Sequence, residues 1–123
     1  MLDRRLARRL ALGRLSIGAV MVSAPAAAPG PLVPTEEADR PWTKLLGRML
    51  GIREVALGLL ILRSLHSRRD ERLILAVAAV CDLVDGLSAI QDVELPAAAR
   101  TTFAAVALPT AAIELLMVVG GLD

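Results

Sequence analysis

Residues 73–91, LILAVAAVCDLVDGLSAIQ, form a run long and apolar enough to cross a bilayer, yet Asp82 and Asp85 stand near its middle. The apolar stretch before it, LLGRMLGIREVALGLLIL, carries Arg48, Arg53 and Glu54, and the last apolar stretch carries Glu114. An ionisable group at the centre of the hydrocarbon layer costs about 2.5–3.5 kcal/mol on insertion scales, so it persists where it is paired or used. The expected fold must therefore present apolar faces to lipid and gather these charges between its helices.

Composition agrees with that expectation. The chain is 55% hydrophobic with 2% aromatic residues, and its mean hydropathy is +0.60. Soluble domains average roughly 45–50% apolar residues, and a soluble core this small normally fills its volume with aromatic rings. Small aliphatics and glycines instead suit helices packed on helices in lipid. A net charge of +1 and a near absence of stacking aromatics exclude a nucleic-acid partner. Cys81 is the only cysteine, so neither an intrachain disulfide nor a thiolate metal site can form.

A crossing helix needs about 20 mostly apolar residues. Four segments qualify, at about 10–28, 45–62, 73–91 and 101–119, within a single domain covering residues 1–123. Pro25, Pro29, Pro31, Pro34 and Pro41 fill the first connection, Ser67 to Asp70 make the second, and Glu94 to Pro96 begin the third. The first span has a rival reading. Arg4, Arg5, Arg8 and Arg9, an apolar run and Ala26-Ala27-Ala28 follow the order of a signal peptide. Arg14 interrupts that run, so a retained helix is expected.

Basic residues set orientation. They concentrate at the N-terminus and at Arg63, Arg68, Arg69 and Arg72, beside His66. The first connection mixes Arg40 and Lys44 with Glu36, Glu37 and Asp39, and the third sets Arg100 against Asp92 and Glu94. Both termini and the 63–72 turn are therefore expected in the cytoplasm, with Trp42 anchoring the outer mouth of the second helix. The resulting class is all-α: an integral-membrane, antiparallel four-helix bundle in the cell membrane. Arg63, Arg68, Arg69 and Arg72 either fix topology alone or also attract anionic lipid, at about 1 kcal/mol per basic residue near the surface. His66, exposed in that turn, is expected to be solvated.

Depth and face pair the charges. The second and third helices share a short turn and should be antiparallel neighbours, which brings Arg53 to the depth of Asp82. Arg14 and Glu114 both fall in the cytoplasmic half of their helices. Asp82, Asp85, Ser88 and Asp92 form one stripe of the third helix, and Gly47, Gly51, Glu54 and Gly58 one stripe of the second. Glycines at this spacing admit a partner helix closely, so Glu54 points into a helix contact. Arg48 reaches a separate partner or snorkels outward. Three arginines, Arg14, Arg48 and Arg53, face four carboxylates, Glu54, Asp82, Asp85 and Glu114. Arginine stays charged. One carboxylate is then left over unless it is protonated, and the sharing of a face by Asp82 and Asp85 places the excess there, as a coupled pair. Pro109 frees the carbonyl of Ala105; it either bends the last helix or opens a polar cavity beside Thr110 and Glu114.

The segment RPWTKLLGRMLGIREVALGLLIL, Arg40 to Leu62, resembles one found in small four-helix actinobacterial membrane proteins of unknown function, broadly similar to DoxX-like proteins. The likeness rests on Arg48, Gly51, Arg53, Glu54 and Gly58. It extends to Asp82, Asp85 and the layout of the spans. It implies a four-helix membrane bundle and supplies no catalytic roles.

Three functions are open on these residues. The first is a structural or accessory assembly subunit, self-associating or bound to a membrane-protein partner, in which Arg53 with Asp82 and Arg14 with Glu114 fix helix register. The alternative is a small-molecule, lipid, proton or ion site, binding or transporting, built on Glu54, Asp82 and Asp85 with Arg48 and Arg53. An enzyme using Asp82 and Asp85 as acid and base lacks any supporting nucleophile elbow, phosphate loop or dinucleotide fingerprint, so no catalytic residue is assigned. No cofactor or metal is expected, since arginines compete for every carboxylate in the spans.

Overall fold

The computed structural model describes residues 3–27 and 32–122. Asp3 starts the first helix: its side chain accepts from the Leu6 backbone N–H at 2.8 Å, satisfying one donor that a helix start leaves open. That helix, α1, runs Arg4–Ser23. Its C-cap, Ala24, turns to φ −134° and ψ 69°, because the proline that follows disfavours the helical region for the residue before it. The expected first span, 10–28, therefore begins earlier and ends at Ser23; its residue 28 lies outside the described residues. A single turn, α2 (Thr35–Ala38), sits in the proline-rich connection, where no helix was expected.

Three long helices follow: α3 (Pro41–Ser64), α4 (Arg68–Gln91) and α5 (Ala97–Gly120). Pro41 opens α3 at its first turn, where the missing N–H costs nothing. Asp70 and Glu71 lie in the first turn of α4, complementing the helix dipole. Gly121, at φ 74°, ends α5 in a conformation that L side chains rarely adopt. Each helix contains the corresponding expected span and extends beyond it by several residues. The described residues are all helix and connection, without a strand.

The expected contact between α3 and α4 is present. The short turn makes them neighbours, but the intimate contacts are α1 on α3 and α4 on α5. Small residues decide this. On α1 the buried stripe is Ala7, Ala11, Arg14 and Gly18, which repeats at i, i+4, i+7 and i+11, the spacing of the Gly47, Gly51, Glu54, Gly58 stripe on α3. The two stripes meet antiparallel: a Cβ on Gly58 would lie 2.8 Å from the Ala11 carbonyl oxygen, and one on Gly47 3.2 Å from that of Pro25. On α4, a Cβ at Gly86 would lie 2.5 Å from Leu108 Cδ2, so α5 closes on α4 with a side chain, not backbone, against the glycine.

The two helix pairs join through one apolar cluster contributed by all four long helices. It contains Ala7, Ala11, Leu57, Ile61, Leu75, Ala78 and Met117, with Leu122 beyond the end of α5. It lies at the end of the molecule that carries the 65–67 turn. Away from it, large apolar side chains point outward, among them Leu46, Ile52, Leu59, Val80, Val84, Val106, Leu116 and Val119. Helices α4 and α5 are long and apolar enough to cross a membrane. By the same measure α1, with Arg8, Arg9 and Arg14, and α3, with Arg48, Arg53 and Glu54, are not, against an expectation of four spans.

Candidate functional site

Arg14 is the centre of the molecule's charge. Its place in the stripe Ala7, Ala11, Arg14, Gly18 points it between the helix pairs, and it is 5% exposed. Its guanidinium reaches every other long helix. Nη1 donates to Glu54 Oε2 of α3 at 2.6 Å and to Asp82 Oδ1 of α4 at 3.3 Å. Nη2 donates to Asp82 Oδ2 at 2.5 Å and to Glu114 Oε1 of α5 at 2.8 Å. A planar fork of donors suits this geometry as a lysine ammonium cannot. Nε is buried without a partner.

A second arginine extends the cluster to its edge. Arg53 holds Asp85 through two donor nitrogens and gives a further bond to Glu54 Oε1 at 3.2 Å. Glu54 thus links the two guanidiniums, one oxygen to each. Arg53 and Asp85 are both partly exposed, unlike Arg14, Asp82 and Glu114.

The structure thus brings Arg14 and Glu114 together and gives Arg53 a different partner from the one expected. Arg53 pairs with Asp85, and Asp82 turns to Arg14. The cause is azimuth. Residues three apart on a helix differ by about 60° around the axis. Asp82 therefore enters the interior while Asp85 stays at the α3–α4 edge, and Ser88 and Asp92, expected on the same stripe, are exposed. Asp82 and Asp85 consequently bind separate arginines and do not form the expected carboxylate pair. Arg48 is exposed and makes no ion pair with a described residue.

Pro109 does not open a polar cavity at Glu114. It lines an open groove of about 620 Å³ with Ile90, Ala104, Ala105 and Leu108, and with Arg100 and Thr101. Thr110 spends its hydroxyl on the Val106 carbonyl at 2.7 Å. At the opposite end, a pair not expected from the sequence joins α1 to α4. Arg4 donates to the Leu65 carbonyl at 2.5 Å, beyond the end of α3, and its Nη2 lies 3.7 Å from Oε2 of the buried Glu71. That separation is too long for a hydrogen bond, so Glu71 Oε2 stays buried without one. The available signal was spacing: Glu71 lies eleven residues before Asp82, three turns along one face. Arg63, Arg68, Arg69 and Arg72 are exposed around this end, as is His66, whose Nδ1 lies 3.2 Å from the Arg63 carbonyl oxygen.

Among the described residues, no group of three or more His, Cys, Asp or Glu is arranged to hold a metal ion. Glu54, Asp82 and Glu114 converge instead on a guanidinium. Compared with known protein families, with curated proteins and with solved structures, the chain matches none.

Proposed function

We propose that this is a multi-pass cell-membrane protein, an antiparallel four-helix bundle of α1, α3, α4 and α5, serving as a structural or accessory assembly subunit. Both termini and the 63–72 turn face the cytoplasm. One observation carries the reading: a buried guanidinium on α1 is ion-paired to each of the other three long helices. Such a node specifies which helices meet and at what register, the best-attested use of buried charge. The large outward apolar side chains on α3, α4 and α5 support lipid as the surrounding solvent. The exposed Trp42 at the start of α3 suits an interfacial anchor, and the four exposed arginines of the 63–72 region suit the cytoplasmic leaflet and its anionic lipids.

The test is purification in mild detergent followed by mass spectrometry of whatever accompanies the chain, for wild type and for Asp82→Asn with Asp85→Asn. A protein partner, or a second copy, retained by both supports the assembly reading. A small molecule or lipid present with wild type and lost from the variant supports a ligand site instead. Reporter fusions after Asp92 and at the C-terminus test topology: opposite compartments are expected, and a shared compartment rejects the proposed span count.

A further inference from the structure

Six charged side chains from four helices meet around Arg14: Arg14 itself, Arg53 and Glu54, Asp82 and Asp85, and Glu114. Two guanidiniums face four carboxylates, an excess of two negative charges if all are ionised. Neither remaining arginine of the neighbourhood corrects this, since Arg48 is exposed and Arg4 is engaged at Leu65 and Glu71. An uncompensated charge in hydrocarbon is resolved by pairing or by taking up a proton.

The hydrogen bonds single out where the proton sits. Asp82 has both oxygens bonded to Arg14. Asp85 has both bonded to Arg53. Glu54 has one bonded to each arginine. Glu114 alone is half satisfied. Its side chain is 0% exposed, Oε1 accepts from Arg14 Nη2, and Oε2 is buried with no partner. An ionised oxygen in that position is the most costly group of the cluster, and a neutral carboxyl there is far cheaper. We propose that the Arg14 cluster is a proton-binding site and that Glu114 holds its proton at neutral pH. The inference rests on the membrane-bundle reading above. Oε2 takes the proton from water, Oε1 remains the acceptor for Arg14, and the excess charge falls from two to one. The site moves the surplus carboxylate away from Asp82 and Asp85, where the sequence had placed it, to the residue on α5 whose helix contributes nothing else to the cluster.

Infrared spectroscopy of the full chain in lipid vesicles tests this, with and without 13C label in the glutamate carboxyls. Wild type at neutral pH should show a protonated-carboxyl C=O band that shifts with the glutamate label. The band should vanish in Glu114→Gln and persist in Glu71→Gln and Asp85→Asn. No such band, a band insensitive to the glutamate label, or a band surviving in a folded Glu114→Gln protein overturns the proposal. Should Glu114→Gln fail to fold, loss of the band in Glu71→Gln or in a folded Glu54→Gln protein overturns it, and persistence in both supports it. Flotation with the vesicles separates the two levels of inference. A chain that does not float fails the membrane reading, whereas one that floats without a band loses only the proton site.

Discussion

Gly18 and Gly51 lie backbone against backbone: a Cβ on Gly18 would stand 2.6 Å from the Gly51 carbonyl oxygen, and one on Gly51 2.8 Å from that of Gly18. Neither obstacle is a flexible side-chain end, so any larger residue must push α1 away from α3. That separation would also lengthen the bond from Arg14 to Glu54, one turn further along the same contact.

The first prediction follows from this contact. Gly51→Ala and Gly18→Ala should each destabilise the folded chain by about 1–3 kcal/mol, the usual cost of overpacking. Gly13, also on α1, has nothing within 4 Å of a built Cβ. Gly13→Ala should therefore be neutral or stabilising by about 0.5–1 kcal/mol through helix propensity alone. Unfolding in mixed micelles, followed by circular dichroism, measures all three. Equal effects at Gly13 and Gly51 would refute the close contact.

A second prediction concerns the node itself. Arg14→Met leaves Glu54, Asp82 and Glu114 without their shared partner, and losing one side of a buried ion pair costs about 3–5 kcal/mol. Arg14→Lys keeps the charge but cannot address three carboxylates from a planar fork, so it should recover only part of the loss. Adding Glu54→Gln and Asp82→Asn to Arg14→Met should restore stability, because the uncompensated charges are then removed. Thermal unfolding of the four proteins decides it, and a triple variant no better than Arg14→Met would argue against a charge-based role.

The stripe that carries Gly47, Gly51, Glu54 and Gly58 was legible in the sequence, because its residue types state their purpose: glycines allow approach, and a carboxylate among them needs a cation. The positions of α3, α4 and α5 were legible from their apolar runs, although each helix starts before its run, at Pro41, Arg68 and Ala97. The partners of Arg53 and Asp82 were not. Depth along a helix follows from counting residues, whereas azimuth depends on how two helices roll against each other, and a roll of about 60° exchanges Asp82 for Asp85. The preference of α1 for α3 was written in Ala7, Ala11, Arg14 and Gly18, a stripe matching that of α3. The short turn between α3 and α4 speaks only for their being neighbours and carries no information on which helices pack most closely. Arg4 with Glu71 escaped notice because both stand near helix ends, where charges ordinarily meet water.

Partner choice yields a third prediction. In double-mutant cycles, Arg53→Ala with Asp85→Asn should show a coupling energy of about 0.5–3 kcal/mol, the range for residues in direct contact. Arg53→Ala with Asp82→Asn should show a smaller one, since no hydrogen bond joins them and the bonded path between them runs through Glu54 and Arg14. The single change Asp82→Asn should also be the more damaging, because Asp82 is 6% exposed while Asp85 is half-buried at the α3–α4 edge. Unfolding free energies of the six proteins give both couplings. The reverse order would restore the register in which Arg53 meets Asp82.

The fourth prediction compares two glycines that differ in what confronts them. A Cβ on Gly86 would lie 2.5 Å from Leu108 Cδ2 and 2.6 Å from its Cγ, a clash as short as that at Gly18 but made by a side chain. Leucine can leave this position by changing rotamer, and Leu108 borders the open groove beside Pro109, which gives it somewhere to go. Gly86→Ala should therefore cost less than Gly51→Ala. The double variant Gly86→Ala with Leu108→Ala should lose no more than Leu108→Ala alone, because the added methyl group then occupies vacated space. A Gly86→Ala penalty that survives the Leu108→Ala change would mean that the α4 backbone itself, and not Leu108, limits the approach of α5.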